Sequence, residues 1–350
     1  MHSNRNIIEE DLVNIYHTDI PWSRFFNKTI LISGASGFLP AYLVESLLYI
    51  NKKNPSANIK VIALVRNEAN ARNRFSHYLT SKDLILLVQD VCEEIRLTTK
   101  IDFIIHAASQ ASPKYYGKDP VGTINANVIG TTNLLKLAKL NNVEGFLYFS
   151  SSEVYGNLPN SMIPTSEDNF GFINPVNLRS CYSEGKRAGE TICISWHHQY
   201  KIPIFIVRPF HTYGPGMSLD DGRVYADFVR DIVECKDIEM KSDGKAIRAF
   251  CYISDATLAF FKVLLEGEVG NAYNVGNDNC VTSIVDLAEK LVKIFPERNL
   301  NVIKVKQENE AYINTSISKN IPNINKIKKL NWNPKIKILE GFNRTIQYYI

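Results

Sequence analysis

Apolar residues in the first half of the chain fall into two alternating kinds of run. Thr29–Ser33 (TILIS), Val61–Val65 (VIALV), Leu84–Val88 (LILLV), Phe103–His106 (FIIH) and Phe146–Ser150 (FLYFS) are short and almost unbroken. That is the pattern of strands buried on both faces. Between them, Leu39–Tyr49 and Val121–Leu140 repeat apolar residues at helical spacing. The alternation predicts βαβ units, an α/β class and a parallel sheet flanked by helices, with a ligand at the carboxyl ends of the strands.

After Arg208 the pattern loosens. Gly214-Pro215-Gly216 predicts a turn, Leu219–Glu234 a helix, and short elements rich in Pro and Asn follow. The expected organisation is an N-terminal leader over 1–27, helical around Ile7–Tyr16, and a cofactor-binding domain over 28–208. A smaller α/β C-terminal lobe follows over 209–350, with room for segments that return to the sheet. No internal repeat is visible.

Composition narrows the class. The chain has 350 residues, 45% of them hydrophobic and 22% charged, as in an ordinary globular protein. Forty basic against 36 acidic side chains leave +4, too little and too scattered to indicate nucleic acid. No apolar run reaches membrane-spanning length, so no membrane partner is expected. The polar, acidic start (Glu9, Glu10, Asp11) is unlike a signal peptide, and a cytoplasmic location is expected. Cys92, Cys181, Cys193, Cys235, Cys251 and Cys280 form no CxxC pair and read as scattered reduced thiols. No metal site is expected, and His197–His198 read as surface residues.

Candidate chemistry starts at Gly34-Ala-Ser36-Gly37-Phe38-Leu39-Pro40, between the first strand and a helix. Gly34 permits a tight turn, and Gly37 lets the backbone approach a pyrophosphate seated on the helix N-terminus. A Rossmann-type doubly wound parallel sheet with a dinucleotide site is therefore expected. Pro40 stands where a third glycine is usual, a position in the first helical turn that tolerates proline. The second strand ends in Arg66 rather than an acid. Arginine pairs with a 2′-phosphate, so NADP(H) is favoured over NAD(H).

A second constellation is Ser150-Ser151-Ser152-Glu153-Val154-Tyr155-Gly156 after a strand, followed by Tyr182-Ser-Glu-Gly-Lys186. Tyr182 and Lys186 share one helix face. A lysine beside a phenol is expected to lower its pKa from about 10. Ser151 can hydrogen-bond the reacting oxygen.

With these motifs the chain resembles the extended short-chain dehydrogenase/reductase family, nucleotide-sugar branch, from about Lys28 to the C-terminus. Further matches are Asp90-Val91, His106-Ala107-Ala108-Ser109, Arg208-Pro209, Tyr213-Gly214-Pro215, Arg248-Ala-Phe250 and Tyr273-Asn-Val-Gly276. The resemblance implies adenine contacts at Asp90 and Val91, cofactor contacts at Ala107, Ala108, Ser109 and Pro209, and a sugar-nucleotide diphosphate at Arg248. Ala111-Ser112-Pro113, Ser152–Gly156, Arg179–Arg187 and Asp221-Gly-Arg223-Val224 look most like UDP-glucuronate decarboxylases. There Glu153 would be a base or a positioning group. Ser112, Arg179, His211 and Arg223 match substrate positions, and Tyr115 and Tyr116 read as packing residues. A homodimer through the Val121–Leu140 and Tyr182–Tyr200 helices is implied by resemblance, as is a surface-polysaccharide (O-antigen) setting.

The chain departs from those decarboxylases at Arg66, at Gln110 for proline, at Gly122 for lysine, at His211 for asparagine and at Gly216 for arginine. An Arg-x-Pro-Asp string is missing around Thr315–Ile317. A decarboxylase returns its own hydride and has no net use for NADPH, so Arg66 favours a ketoreductase. The expectation is NADPH-dependent reduction of a nucleotide-linked 4-keto sugar, a 4-keto-6-deoxyhexose. The alternatives are a decarboxylase-like or 4-epimerase reaction with retained NAD(P), and a non-catalytic cofactor-binding protein.

Overall fold

The computed structural model describes residues 4–305 and 317–350. In chain order the elements are α1 (Arg5–Tyr16), β1 (Thr29–Ser33), α2 (Phe38–Lys53), β2 (Lys60–Val65), α3 (Glu68–Arg74), β3 (Leu84–Val88), β4 (Phe103–His106), α4 (Pro113–Tyr116), α5 (Pro120–Asn141), β5 (Gly145–Phe149), α6 (Ser180–Tyr200) and β6 (Ile204–Pro209). Then come β7 (His211–Tyr213), α7 (Val224–Val233), β8 (Ile238–Met240), β9 (Ile247–Tyr252), α8 (Ile253–Glu266), β10 (Asn271–Val275), β11 (Val281–Ser283), α9 (Ile284–Ile294), β12 (Val302–Lys304), β13 (Lys319–Asn320), α10 (Asn325–Lys328) and α11 (Ile338–Tyr349).

Seven parallel strands form the main sheet in the order β10-β6-β5-β4-β1-β2-β3. The central strands are buried along their length, which accounts for their unbroken apolar runs. Chain order reverses between β1 and β4, and the crevice at that switch point is where a doubly wound sheet takes its ligand. Asn271–Val275 lies in register with β6, so a strand from the C-terminal part completes this sheet.

A second sheet joins β11, β9 and β13, with β7 also paired to β9. It sets His211 opposite Phe250 and Asn320 opposite Arg248. The helix expected over Leu219–Glu234 begins only at Val224. Gly222 takes a left-handed φ of 78°, and residues 219–223 form a loop tied to α4, the Ser112 hydroxyl donating to the Asp221 carbonyl at 2.5 Å.

The leader helix α1 packs against α2, α8 and α11. Its Asp11 is buried and accepts from the Tyr42 hydroxyl (3.1 Å), the Tyr252 hydroxyl (2.9 Å) and Arg344 (2.9 Å). Arg5 of the same helix pairs with the buried Glu45 of α2.

Candidate active site

The glycine turn leaves no room for side chains. Gly34 has φ +65°, and a Cβ there would lie 2.7 Å from the Ala108 Cα, so the turn and the end of β4 touch backbone to backbone. The Ala107 and Ala108 amides both donate to the Ser33 hydroxyl at 3.2 Å, and that hydroxyl also meets His106 Nδ1 at 2.8 Å. Burial lowers the His106 pKa to about 3, so the imidazole that braces this junction is neutral. Gly37 caps α2 without a side-chain hydrogen bond, which leaves the helix N-terminus to a ligand. Pro40 is the third residue of α2, where its missing N–H breaks no helical bond.

Two cavities of about 430 and 380 Å³ meet at this turn and share Gly34, Arg66, Ser109 and Gln110. The smaller is lined by Asp90, Val91, Cys92 and Ala108, the larger by Phe38, Leu39, Ala107, Lys186 and Pro209. Ser36 lines neither. Ser109 Oγ and Gln110 Oε1 are buried without a protein partner. Two adjoining cavities with a helix N-terminus in their lining and unpaired polar atoms on their wall fit a dinucleotide. Arg66 stands at their outer end with its side chain 65% exposed, 3.9 Å from Asp90.

Two of the departures noted in the sequence prove to be one unit. Gln110 donates to Asp119 Oδ2 at 2.7 Å, and Asp119 caps α5 through the Gly122 amide at 3.0 Å. A Cβ at residue 122 would lie 2.2 Å from that carboxylate, so the glycine makes space for the pair.

The candidate catalytic set lies at the inner end. Ser151 follows β5 and accepts from the Glu153 amide at 3.2 Å, closing a 3₁₀ turn over Ser152–Tyr155. Arg187 of α6 fastens this turn through the Val154 carbonyl at 2.6 Å. One turn earlier on α6, the Tyr182 phenol lies near Ser151, whose hydroxyl favours its ionised form. Lys186 donates to the Phe149 carbonyl at 2.6 Å, with its nitrogen 5.8 Å from the Tyr182 ring centre.

The expectation that Lys186 lowers the Tyr182 pKa does not hold in this arrangement. Burial raises the phenol to about 12, offset in part by Ser151, with Glu153 pushing further up. Burial lowers Lys186 to about 7, so much of its charge is lost near neutrality, and its ammonium faces a carbonyl rather than the phenol.

Glu153 is held by Arg179, each carboxylate oxygen accepting one guanidinium nitrogen at 2.8 Å. Glu153 lines the larger cavity; Arg179 stands behind it. Tyr116 is more than a packing residue. Its ring stacks on Tyr182 at 5.2 Å and 19°, and Arg179 sits over its other neighbourhood at 5.8 Å.

At the substrate end, Ser112, His211 and Arg223 line the cavity together with Asn320. Arg223 bonds Asp221 at 2.8 Å and the Ala111 carbonyl at 2.9 Å. His211 Nδ1 is buried without a partner, and burial between Arg248 and Arg223 pushes its pKa far down, so it is neutral. Asn320 donates to Ser152 Oγ at 3.1 Å. Nothing in the sequence marked it, because only the pairing of β13 with β9 brings it here. Arg248 is outside this wall: its guanidinium bonds the carbonyls of Ile247, Ile317 and Ser318. Thr315 and Ser316, in the stretch that lacks the Arg-x-Pro-Asp string, lie outside the described residues.

The model of the NAD dependent epimerase/dehydratase family matches residues 30–276. The chain belongs to that family. It is 35% identical over 323 residues to UDP-glucuronic acid decarboxylase 6 of Arabidopsis thaliana, covering 91% of this chain and 88% of that protein. UDP-glucose 4-epimerase of Thermotoga maritima, solved with UDP-glucose, superposes with a TM-score of 0.78 at 21% identity, over 92% of this chain and 98% of that one. UDP-glucuronic acid 4-epimerase of Bacillus cereus, solved with UDP-glucuronic acid and NAD, gives 0.76 at 23% identity with the same coverage. The protein is thus an enzyme-family member of the nucleotide-sugar branch with a Rossmann-like sheet. Among the described residues no helix is long and apolar enough to cross a membrane, and no cluster could hold a metal ion.

Proposed function

We propose that this epimerase/dehydratase family member oxidises a nucleotide-linked sugar at C4 and returns the hydride within the same site, with NAD(P) retained. The observation that carries this reading is the buried Ser151–Tyr182–Lys186 set at the inner end of the dinucleotide-shaped channel. The similarity to decarboxylases and 4-epimerases supports such a cycle over the net ketoreduction expected from sequence.

When bound, an oxidised nicotinamide supplies the hydride acceptor and a positive charge beside the phenol. Tyr182, as phenolate, takes the O4 proton while the C4–H pair leaves as hydride. Ser151 donates to O4 as it becomes a carbonyl oxygen. Lys186, fixed by the Phe149 carbonyl, would hold the nicotinamide ribose and would favour the phenolate when protonated. Tyr116 holds the plane of the phenol, and Arg179 holds Glu153 at the sugar. Return of the hydride to the opposite face of C4 gives the epimer; loss of CO2 before return gives the decarboxylated sugar.

The test is incubation with a UDP-sugar labelled with deuterium at C4. Label kept at C4 of a changed product, with no net change in reduced cofactor, supports the cycle. A ketoreductase is the second reading, favoured by Arg66, and would show net NADPH loss with a 4-keto-6-deoxy sugar nucleotide. The reading also includes a homodimer through α5 and α6, supported by the exposed Val121, Ile129 and Leu140 of α5 and tested by light scattering.

A further inference from the structure

The helix α4 is a single turn, and its residues Pro113, Tyr115 and Tyr116 line the larger cavity. A helix this short does not hold its own place, so its tertiary anchors decide where it lies. At its C-terminal end it runs into α5, the Lys118 and Asp119 amides donating to the Tyr115 carbonyl at 3.0 and 2.8 Å. At the other end its anchors come from the loop 219–223 that precedes α7. Ser112, at the N-cap position, makes no cap bond to the helix and gives its hydroxyl to the Asp221 carbonyl. Lys114 donates to the Asp220 carbonyl at 2.7 Å and to the Asp220 carboxylate at 2.9 Å. Arg223 returns a bond to the Ala111 carbonyl at 2.9 Å.

That carbonyl also accepts from the Tyr116 hydroxyl at 3.0 Å. Tyr116 is buried, and its ring lies against that of Tyr182 within the usual range of stacked aromatic pairs. The stack limits the swing of the Tyr182 ring and with it the place of the phenol oxygen. Where the phenol sits therefore depends on α4, and α4 depends on the loop. Asp221 and Arg223 of the loop line the cavity themselves, bonded to each other at 2.8 Å. Lys114 and Asp220 stand outside it: neither lines the cavity, and their side chains are 35% and 89% exposed. The outermost fastening of α4 can thus be changed without touching the cavity wall.

We propose that Lys114 is a positioning residue for Tyr182. From the solvent side it fastens α4 to the loop 219–223, and α4 seats Tyr116 against the phenol. Without the ammonium, α4 tilts about its join to α5, and the phenol oxygen is in line with the sugar less of the time. The effect falls on turnover rather than on sugar binding, because Lys114 lies outside the cavity. This rests on the C4 reading above and adds how its phenol is held.

The test compares Lys114→Met, which keeps the apolar stem and removes the ammonium, with Lys114→Arg, which keeps the charge. The full chain is labelled with 3-fluorotyrosine, and the fluorine NMR signal of Tyr182 is assigned with Tyr182→Phe. In Lys114→Met that signal is expected to shift while the melting temperature is unchanged. Turnover of UDP-glucose or UDP-glucuronic acid should show kcat lower by about three- to ten-fold and KM within about two-fold. Salt screens an exposed pair, so about 0.5 M NaCl should move the wild-type signal the same way and leave that of Lys114→Met in place. Lys114→Arg should restore both signal and rate. An unmoved Tyr182 signal in Lys114→Met, or an unchanged kcat beside a raised KM, overturns the proposal. A moved signal in a protein that turns over neither sugar supports the positioning role and sinks the C4 cycle.

Discussion

Glu153 and Arg179 meet as two parallel hydrogen bonds, both 2.8 Å long, joining the turn that carries Ser151 to the helix that carries Tyr182. The pair is about four-fifths buried, and Arg179 begins the same turn of α6 that presents the phenol. It therefore spans the two elements whose separation sets the Ser151–Tyr182 contact. Arg179→Gln is expected to lower kcat by about 10²-fold through misplacement of that contact, at a stability cost of about 1 kcal/mol. Arg179→Lys should restore part of the rate. Steady-state kinetics across pH beside thermal melts checks this; a melting loss with kcat unchanged would leave the pair a brace only.

Tyr182→Phe removes the proton acceptor and keeps the ring stacked on Tyr116. Turnover should fall by about 10²–10⁴-fold, while binding of the sugar nucleotide changes by no more than a few-fold. Stopped-flow turnover together with calorimetry separates the two effects.

Arg66 is mostly exposed, 3.9 Å from Asp90 and within electrostatic reach of Asp119. If it receives a 2′-phosphate, Arg66→Ala should weaken NADPH by about ten- to a hundred-fold, the worth of a charge-assisted hydrogen bond. NADH should be unaffected. Fluorescence titration of both cofactors decides, and an unchanged ratio removes the argument for NADP.

Gly34→Ala puts a methyl group against the Ala108 backbone at a φ of +65°. The strain costs about 1–3 kcal/mol, and the turn must shift out of the channel. Loss of cofactor binding by ten-fold or more, with a lower melting temperature, is expected. Binding at wild-type strength would mean that the turn is not where the pyrophosphate sits.

Asp11 and Asp255 give a pH dependence with a definite sign. Burial raises each to about 6, against Arg344 and hydroxyl bonds at Asp11 and the backbone amides of Lys335 and Ile336 at Asp255. Between about 4, the ordinary aspartate value, and about 6, the folded protein keeps protons that the unfolded chain releases. Their contribution to stability therefore falls as pH rises through that window and levels off above it. Asp11→Asn, which keeps a neutral group at the site while Arg344 retains Glu10, should flatten part of this slope. Denaturant melts from pH 4 to 7 measure both.

The cofactor half of this protein was legible as sequence because each feature is local. Continuous apolar runs, a glycine turn between strand and helix, and a Tyr–Lys pair one helical turn apart each fix their own geometry within a few residues. The elements Phe38–Lys53 and Pro120–Asn141 exceed their expected spans by only a few positions at each end. Leu219–Glu234 was less legible because its apolar spacing continues through a loop. There, Gly222 and the contacts of Asp220 and Asp221 with α4 override the periodicity.

What the sequence alone determined is the parallel sheet, the glycine turn between strand and helix and the Tyr182–Lys186 spacing, since these depend on spacing within one βαβ unit or one helix face. What only the tertiary structure decided is the wall on the sugar side. Asn320 reaches Ser152 across 168 positions, Gln110 and Gly122 act through Asp119, and Arg179 is spent on Glu153 rather than offered to a ligand. Such partners are chosen by packing between distant strands and loops, and charge pairing across space leaves no period in the chain to read.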